Sequence, residues 1–406
     1  MSFHDRRPES RPATGEAPFG LEEVFFSRTD DRGVISSFND VFYRVANYST
    51  EELRGAPHKI IRHPDMPRGV FQLFWDTLKR GETIGAYVKN RAKDGLYYWV
   101  FAVVVPSEGG FLSARIKPSS ALFATIQTEY KTLLDAEKAN GLSPEKSAEL
   151  LLERLGVLGF KDYQSFASFA LAEELTARDA GLGASVDPKI TNCRAMLKNA
   201  DELLGETAGL VQEFEAMRTI PHNLRVIASR IEPAGGPVTE LSQNYGTMSR
   251  DMSEWFSAHV RGENSNFSAI KDTVNNNMFI ECMTRILNEC DVQLQKEQRN
   301  NDAPSIEAER KILASLVTEQ RQFAQNGLAD VKSEADRILA ACSIMNRHFL
   351  GLSTIRVLCK IESARLSTKG EALTAIIDQL GEFQARISKQ LDRISTLGES
   401  IRDTEH

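Results

Sequence analysis

The sequence predicts a small α+β domain of five antiparallel strands followed by an all-α coiled-coil or helical-bundle region. Up to about Pro118, short alternating or aromatic-rich apolar runs are separated by turn residues. Beyond Pro118 the apolar period becomes helical and stays so. At 406 residues the chain also exceeds the roughly 250–300 residues that one hydrophobic core supports, so two or three domains are expected.

The strands come first. "FFSRTD" and "GVISSF" flank Asp30, Asp31 and Gly33, which reads as strand, turn, strand. "NDVFYRVANYSTEELRG" then gives short helices, with Ser49 or Thr50 as a cap and Gly55 as a stop. The next stretch, "KIIRHPDMPRGVFQLFWDTLKRGE", sets Arg62, His63 and Asp65 in front of an amphipathic segment carrying Phe71, Phe74 and Trp75. In "GAYVKNRAKDGLYYWVFAVVVPSEGGFLSARIKP" three apolar runs are joined at Asp94-Gly95 and Gly109-Gly110, which predicts three consecutive antiparallel strands. Two strands, short helices and three strands make a fold with one sheet face available to a ligand.

In the second half, "NGLSPEK", "DAGLGASVDP", "EPAGGP" and "NNDAPS" break an otherwise helical pattern. Val331, Ala335, Ile338, Cys342, Met345, Phe349 and Leu352 alternate by four and three, and Leu373, Ile376, Leu380, Phe383 and Ile387 resume the pattern after "SARLSTKGEA". That spacing predicts an antiparallel coiled-coil hairpin. "NLRVIASRIEPAGG" from Asn223 and "TIRVLCKIESARLS" from Thr354 form a weak internal repeat, which raises the prospect of two related hairpins. The resulting division is a disordered arm over 1–20, an α+β sensor-type domain over 21–118, a helical linker or subdomain over 119–190 and an antiparallel helical coiled-coil signalling region over 191–406.

Composition narrows the function. A formal net charge of -7 disfavours a nucleic-acid binder, which concentrates basic charge. No run of about 18 apolar residues is evident, and the N-terminal stretch lacks the apolar core of an export signal, so the expectation is a cytoplasmic protein with no membrane span. Cys193, Cys282, Cys290, Cys342 and Cys359 show no CxxC spacing and read as buried thiols on helices rather than a zinc or disulfide framework. No nucleophile elbow, phosphate-cradling glycine loop or HExxH pattern is present, so a non-enzymatic role is expected.

At "HKIIRHPDMPRGVFQLFWDTLKRGE" and "VKNRAKDGLYYWV" the sequence resembles the PAS domain of bacterial aerotaxis receptors, over Phe25 to Lys117. The resemblance implies a PAS fold that binds FAD non-covalently and reports redox state or oxygen through a helical signalling rod. It implies flavin-pocket roles for Asn39, Arg62, His63, Asp65, Phe71, Trp75, Asn90 and Trp99. Asn90 and Asn39 offer amide donors and acceptors to a flavin edge, Arg62 brings a charged fork suited to phosphate or to Asp65, and His63 can respond to a charge change on the ring. One position departs: Ile84 stands where the family usually carries an aromatic, removing a stacking partner. A fainter likeness, at "IRVLCKIESARLSTKGEAL", to the chemoreceptor cytoplasmic hairpin implies a homodimer and contact of Ile361, Glu362 and Arg365 with a chemotaxis histidine kinase and its coupling protein. Haem held by His58 or His63 is the alternative cofactor, and a ligand-free scaffold of PAS domain and coiled coils the alternative function. From the residues alone, Arg62 to Asp65 also fit a capping and ion-pair device, and Trp75 and Trp99 also fit ordinary core.

Overall fold

The computed structural model describes residues 11–217, 219–231, 236–260, 266–300, 304–365 and 371–404. It divides into two compact units, one of residues 1–191 and 275–326, the other of 192–274 and 327–406.

The first unit opens with the five strands expected: β1 (Phe25–Asp30), β2 (Ile35–Phe38), β3 (Ile84–Arg91), β4 (Tyr97–Ser107) and β5 (Gly110–Ile116). They pair antiparallel in the order β2-β1-β5-β4-β3. Between β2 and β3 run α1 (Asp40–Ala46), α2 (Thr50–Leu53), a 3₁₀ turn at His58–Ile61 and α3 (Arg68–Lys79). Ser49 and Glu52 close a capping box on α2. These elements cover the inner sheet face, where Phe25, Ile35, Phe42, Leu53, Val88, Tyr98 and Val100 form one buried cluster.

Strand alternation sends Tyr87, Trp99 and Phe101 to the other face. That face is covered as well. Phe123 of α4 (Ala121–Asn140) stacks on Tyr87 at 5.5 Å between centroids and meets Trp99 at 5.3 Å. Phe166 of α6 (Tyr163–Gly181) lies 6.4 Å from Tyr87, and a Cβ on Gly85 would fall 2.9 Å from the Phe279 ring of α10 (Asn266–Asn300). Burial on both faces explains the unbroken apolar run "YYWVFAVVV" in β4, eight of whose residues are buried. α5 (Pro144–Val157) packs against α3 and α4.

The N-terminal segment corrects the expectation of a disordered arm over the residues described. Ala17 N donates to Tyr97 O at 2.7 Å and Tyr97 N to Gly15 O at 3.0 Å. Phe19 lies edge-on to Phe25 at 5.1 Å, and Arg11 pairs with Asp94 at 2.6 Å. Ala17 and Phe19 are buried and anchor this polar, proline-bearing segment to the sheet, while residues 12–16 stay exposed. Residues 1–10 lie outside the described residues. The helices of 119–190 belong to the first unit, α4 and α6 packing on the sheet and α5 on α3.

The second unit holds most of α7 (Pro188–Met217), α8 (Ile220–Ile231), α9 (Pro237–Val260), the start of α10, the later part of α11 (Pro304–Arg365), and α12 (Glu371–Asp403). α11 and α12 run antiparallel: Ser363 Oγ meets Thr374 Oγ1 at 2.8 Å and Asp336 meets Arg402 at 3.9 Å. α12 is antiparallel to α7 through Arg386–Glu213 at 3.0 Å and Asn199–Ser400 at 2.9 Å. α8 and α9 pair as a second hairpin, with Ser242 Oγ donating to Pro221 O at 2.7 Å. The result is one buried core running from Met196 to Ile401.

The expected seam on α11 is buried from Val331 to Leu352. On α12 Leu373, Leu380, Phe383 and Ile387 are buried as expected, and one position differs: Ile377 is buried while Ile376 is only partly buried against the core. Ile306–Arg365 also meets the length and composition test for a membrane span, with an 18-residue window of mean hydropathy 1.2. That departs from the expectation that no such segment exists; a third of the window is buried, and Leu350, Val357, Leu358 and Ile361 of the same helix are exposed. All five cysteines are buried.

Candidate functional site

The inner sheet face and α3 enclose a cavity of about 110 Å³. The 3₁₀ turn brings His58 and Lys59 to it, and the chain leaving that turn brings Arg62. The amphipathic face of α3 supplies Phe71, Phe74 and Trp75. Inward-facing positions of the strands supply Val88 and Asn90 from β3, Ala102 and Val104 from β4, and Phe111, Ser113 and Arg115 from β5. Gly33, in the left-handed region at φ 75°, closes the turn between β1 and β2; a Cβ there would meet the Trp75 ring at 3.1 Å.

Four of the eight sequence-predicted pocket residues line this cavity: Arg62, Phe71, Trp75 and Asn90. The Arg62 guanidinium sits 3.6 Å over the Phe71 ring, and its backbone bridges to Asn90. The other four are elsewhere. Asn39 is the N-cap of α1: its Oδ1 accepts from Phe42 N at 3.1 Å and Phe26 N at 3.0 Å, and its Nδ2 donates to Val24 O at 2.8 Å. With both ends of the amide used by backbone, it ties helix to strand. Trp99 lies on the opposite sheet face, against Phe123 and Tyr130.

His63 and Asp65 stand outside the cavity in a surface knot. Asp65 N donates to His63 Nδ1 at 3.1 Å, and Lys89 pairs with Asp65 at 3.0 Å. That hydrogen bond to Lys89 holds the Asp65 carboxyl below its usual range, while burial and then Lys89 push the His63 imidazole down. Asp65 therefore pairs with Lys89, not with Arg62. Ile84 is buried beside Leu78 and Val104, with Phe74 and Trp75 packed on the cluster.

Sequence reading missed Ser113 and Arg115. Arg115 Nη2 donates to Ser27 Oγ at 2.9 Å and lies 2.8 Å from His58 Nε2. Burial and then the Arg115 charge push His58 down to about 3, so the imidazole is neutral, accepts at Nε2 and carries its proton on Nδ1. Burial lowers Arg115 to about 10, still cationic at neutral pH. Among the described residues, Asn90 Nδ2, Ser113 Oγ and Arg115 Nη1 are buried without a hydrogen-bond partner. All three belong to residues lining the cavity, and buried polar groups are ordinarily paired. The alternation in "FLSARI", with Ser113 and Arg115 two apart among apolar Leu112, Ala114 and Ile116, is the signal that marks them as inward polar residues.

The wall helix is fastened to the helices beyond the sheet. α3 has no side-chain cap of its own at Pro67. Instead Glu137 of α4 accepts from Arg68 N at 2.7 Å and Gly69 N at 3.3 Å, and Ser147 Oγ of α5 donates to Glu137 at 2.5 Å. A second carboxylate holds the exit from β5: Glu174 of α6 accepts from Tyr87 OH at 2.7 Å, Ser119 N at 2.5 Å, Ser120 N at 3.0 Å and Ser120 Oγ at 2.5 Å.

Comparison with known proteins fits this architecture. Residues 35–110 match the family model described as the PAS fold, so the N-terminal part of the chain carries a PAS domain. Over 121 residues the chain is 40% identical to the aerotaxis receptor of Escherichia coli, a match covering 29% of this chain and 24% of that protein. A 25% identity over 99 residues links it to the bacterioopsin transcriptional activator of Halobacterium salinarum, covering 24% of this chain and 14% of that one. The chain thus spans a quarter or less of the curated relatives it matches. Among solved structures, the LOV domain of a blue-light-activated histidine kinase from Erythrobacter litoralis aligns at 13% identity and TM-score 0.21, over 23% of this chain and 90% of that one. The light-state Aureochrome1 LOV domain aligns at 16% and 0.22, over 29% and 92%. Likenesses at those scores carry no argument about function.

Proposed function

We propose that this chain is a redox or oxygen sensor of signal transduction, a receptor rather than an enzyme, whose PAS domain holds FAD in the cavity beneath α3. The observation that carries the reading is the convergence of three unpartnered polar groups, from Asn90, Ser113 and Arg115, on a cavity walled by Phe71, Phe74 and Trp75. Polar groups at one end and aromatic walls at the other suit a flat heterocycle with an acceptor-bearing edge. The 40% identity to an aerotaxis receptor supports the same reading.

The residues fit the cofactor's chemistry. Asn90, Ser113 and Arg115 would hold the polar edge, and Phe71 and Trp75 would exclude water from the ring. When bound, FAD supplies reversible electron uptake. The enclosed volume, about 110 Å³, is below the roughly 300 Å³ at the small end of ligand sites. Admission of the ring therefore requires α3 to move outward, and its wall residues Phe71, Phe74 and Trp75 are only partly buried. That requirement supports a relay: a shift of α3 pulls on Glu137 and Ser147 and so on α4 and α5.

Haem is the weaker reading, because the His58 Nε2 that would ligate iron faces the Arg115 guanidinium at 2.8 Å. For the output, Ile361 and Arg365 lie exposed near the end of α11, offering contacts for a chemotaxis kinase or coupling protein; the side chain of Glu362 lies outside the described residues. Acid extraction of the purified full chain, with identification of the released ligand by mass and absorbance, tests the proposal. Release of FAD is expected. Release of haem, or of nothing after reconstitution with FAD, would refute it.

A further inference from the structure

A second cleft, of about 420 Å³, opens on the first unit and shares no lining residue with the cavity under α3. Residues leading into β1, the start of α7, and residues of α10 and α11 line it. Its size falls within the range of small-molecule sites, roughly 300–1,000 Å³. Most of its charges are already paired. Lys189 meets Glu281 at 2.8 Å, and Arg285 meets Asp179 at 2.8 Å and Glu289 at 3.2 Å. Asp187 accepts from Lys189 N at 2.9 Å and lies 3.9 Å from Arg285. Three charged lining side chains have no ion-pair or hydrogen-bond partner among the described residues: Glu22, Lys296 and Arg321. Asn288 has none either, and Thr284 is 3% exposed with Oγ1 buried and unbonded. That is unusual for a helical threonine. The hydroxyls of Thr176 and Thr207 donate to carbonyls four residues back, at 2.7 and 2.6 Å, and buried polar groups are ordinarily paired.

We infer that this cleft is a binding site for an α-amino acid with an acidic side chain. The unpaired groups carry two positive charges and one negative, and such a ligand carries the complementary set of two carboxylates and one ammonium. Lys296 and Arg321 hold the carboxylates and Glu22 the ammonium. Thr284 and Asn288 supply a hydroxyl and an amide to the lone pairs that remain. A dicarboxylate without an amine leaves Glu22 facing like charge, and a neutral amino acid leaves one cation unused. Because the lining comes from four segments of the first unit, occupancy ties the N-terminal segment to α7, α10 and α11. The chain thereby gains a ligand input separate from the cavity under α3, and the site stands whether or not that cavity takes a flavin.

The test is titration calorimetry on the purified full chain with L-glutamate, succinate and L-glutamine, at low salt where charge pairs are least screened. Saturable binding of L-glutamate is expected below about 1 mM. Succinate and L-glutamine, each lacking one of the three charges, are expected to bind about fivefold more weakly or worse. Glu22→Gln should weaken L-glutamate about fivefold, the loss of one partly exposed ion pair, and leave succinate no weaker. Thr284→Val keeps the shape of the side chain. It should weaken L-glutamate while leaving the ligand-free thermal midpoint unchanged or higher, since the hydroxyl has no partner to lose. Absence of L-glutamate binding, equal affinities for the three compounds, or equal losses for L-glutamate and succinate in Glu22→Gln would overturn the inference. So would a Thr284→Val chain with a lowered ligand-free midpoint and unchanged L-glutamate affinity.

Discussion

Glu297 offers a pH test of how α10 is fastened to the PAS domain. The side chain is 6% exposed; its Oε2 accepts from Asp40 N at the start of α1 at 3.1 Å, and its Oε1 from Gln293 Nε2 at 2.9 Å. Burial raises it from 4.5 to about 7, opposed by the hydrogen bond from Gln293, and the nearby Asp40 carboxyl, itself raised by burial, adds to the rise. No cation pairs with it among the described residues. Between those two values the folded chain binds the proton and the unfolded chain releases it, so stability falls as pH rises through the window and the penalty is complete above the folded value. A shift of that size corresponds to about 3 kcal/mol. Glu297→Gln keeps an acceptor for Asp40 N and cannot ionise. In urea unfolding followed by tryptophan fluorescence, its advantage over wild type should widen by about 2 kcal/mol between pH 5 and pH 8. Parallel pH profiles for the two proteins would refute the reasoning.

Further outcomes separate the cavity from its scaffold. Asn39→Ala should cost about 2 kcal/mol of stability by removing a cap and two buried backbone partners, with FAD affinity unchanged. Asn90→Leu should do the reverse, weakening FAD about tenfold with little loss in urea midpoint. Glu174→Ala leaves Tyr87 OH and the Ser119 and Ser120 amides without their acceptor, so thermal unfolding should show a loss of at least about 3 kcal/mol. Gly69→Ala sets a methyl against the Ser147 backbone, and a loss of about 1–3 kcal/mol from overpacking is expected.

Much of the fold was legible because its signals are local. Turn residues at Asp94-Gly95 and Gly109-Gly110 fixed three strands, and Pro144, Pro237 and Pro304 stand at the starts of three helices next to the expected breaks. The break between α5 and α6 was not foreseen, since "VLGFKD" carries a single glycine as its turn signal, and residues 261–265 lie outside the described residues. The site was half legible. Arg62, Phe71, Trp75 and Asn90 reached the cavity, whereas the faces of β1 and β4 and the use of Asn39 as a cap depend on register and tertiary pairing. Arg115 was hidden for a related reason: a basic residue in a strand reads as exposed unless the alternation in "FLSARI" is combined with the covering of the inner face by the segment from α1 to α3.

The central claim is that the cavity under α3 holds a flavin. The most direct measurement is the near-ultraviolet and visible absorbance of the purified full chain, before and after dithionite, beside Asn90→Leu. Flavin bands that bleach on reduction and are diminished in the variant are predicted. A Soret band, or no visible band after reconstitution with FAD, would contradict the account.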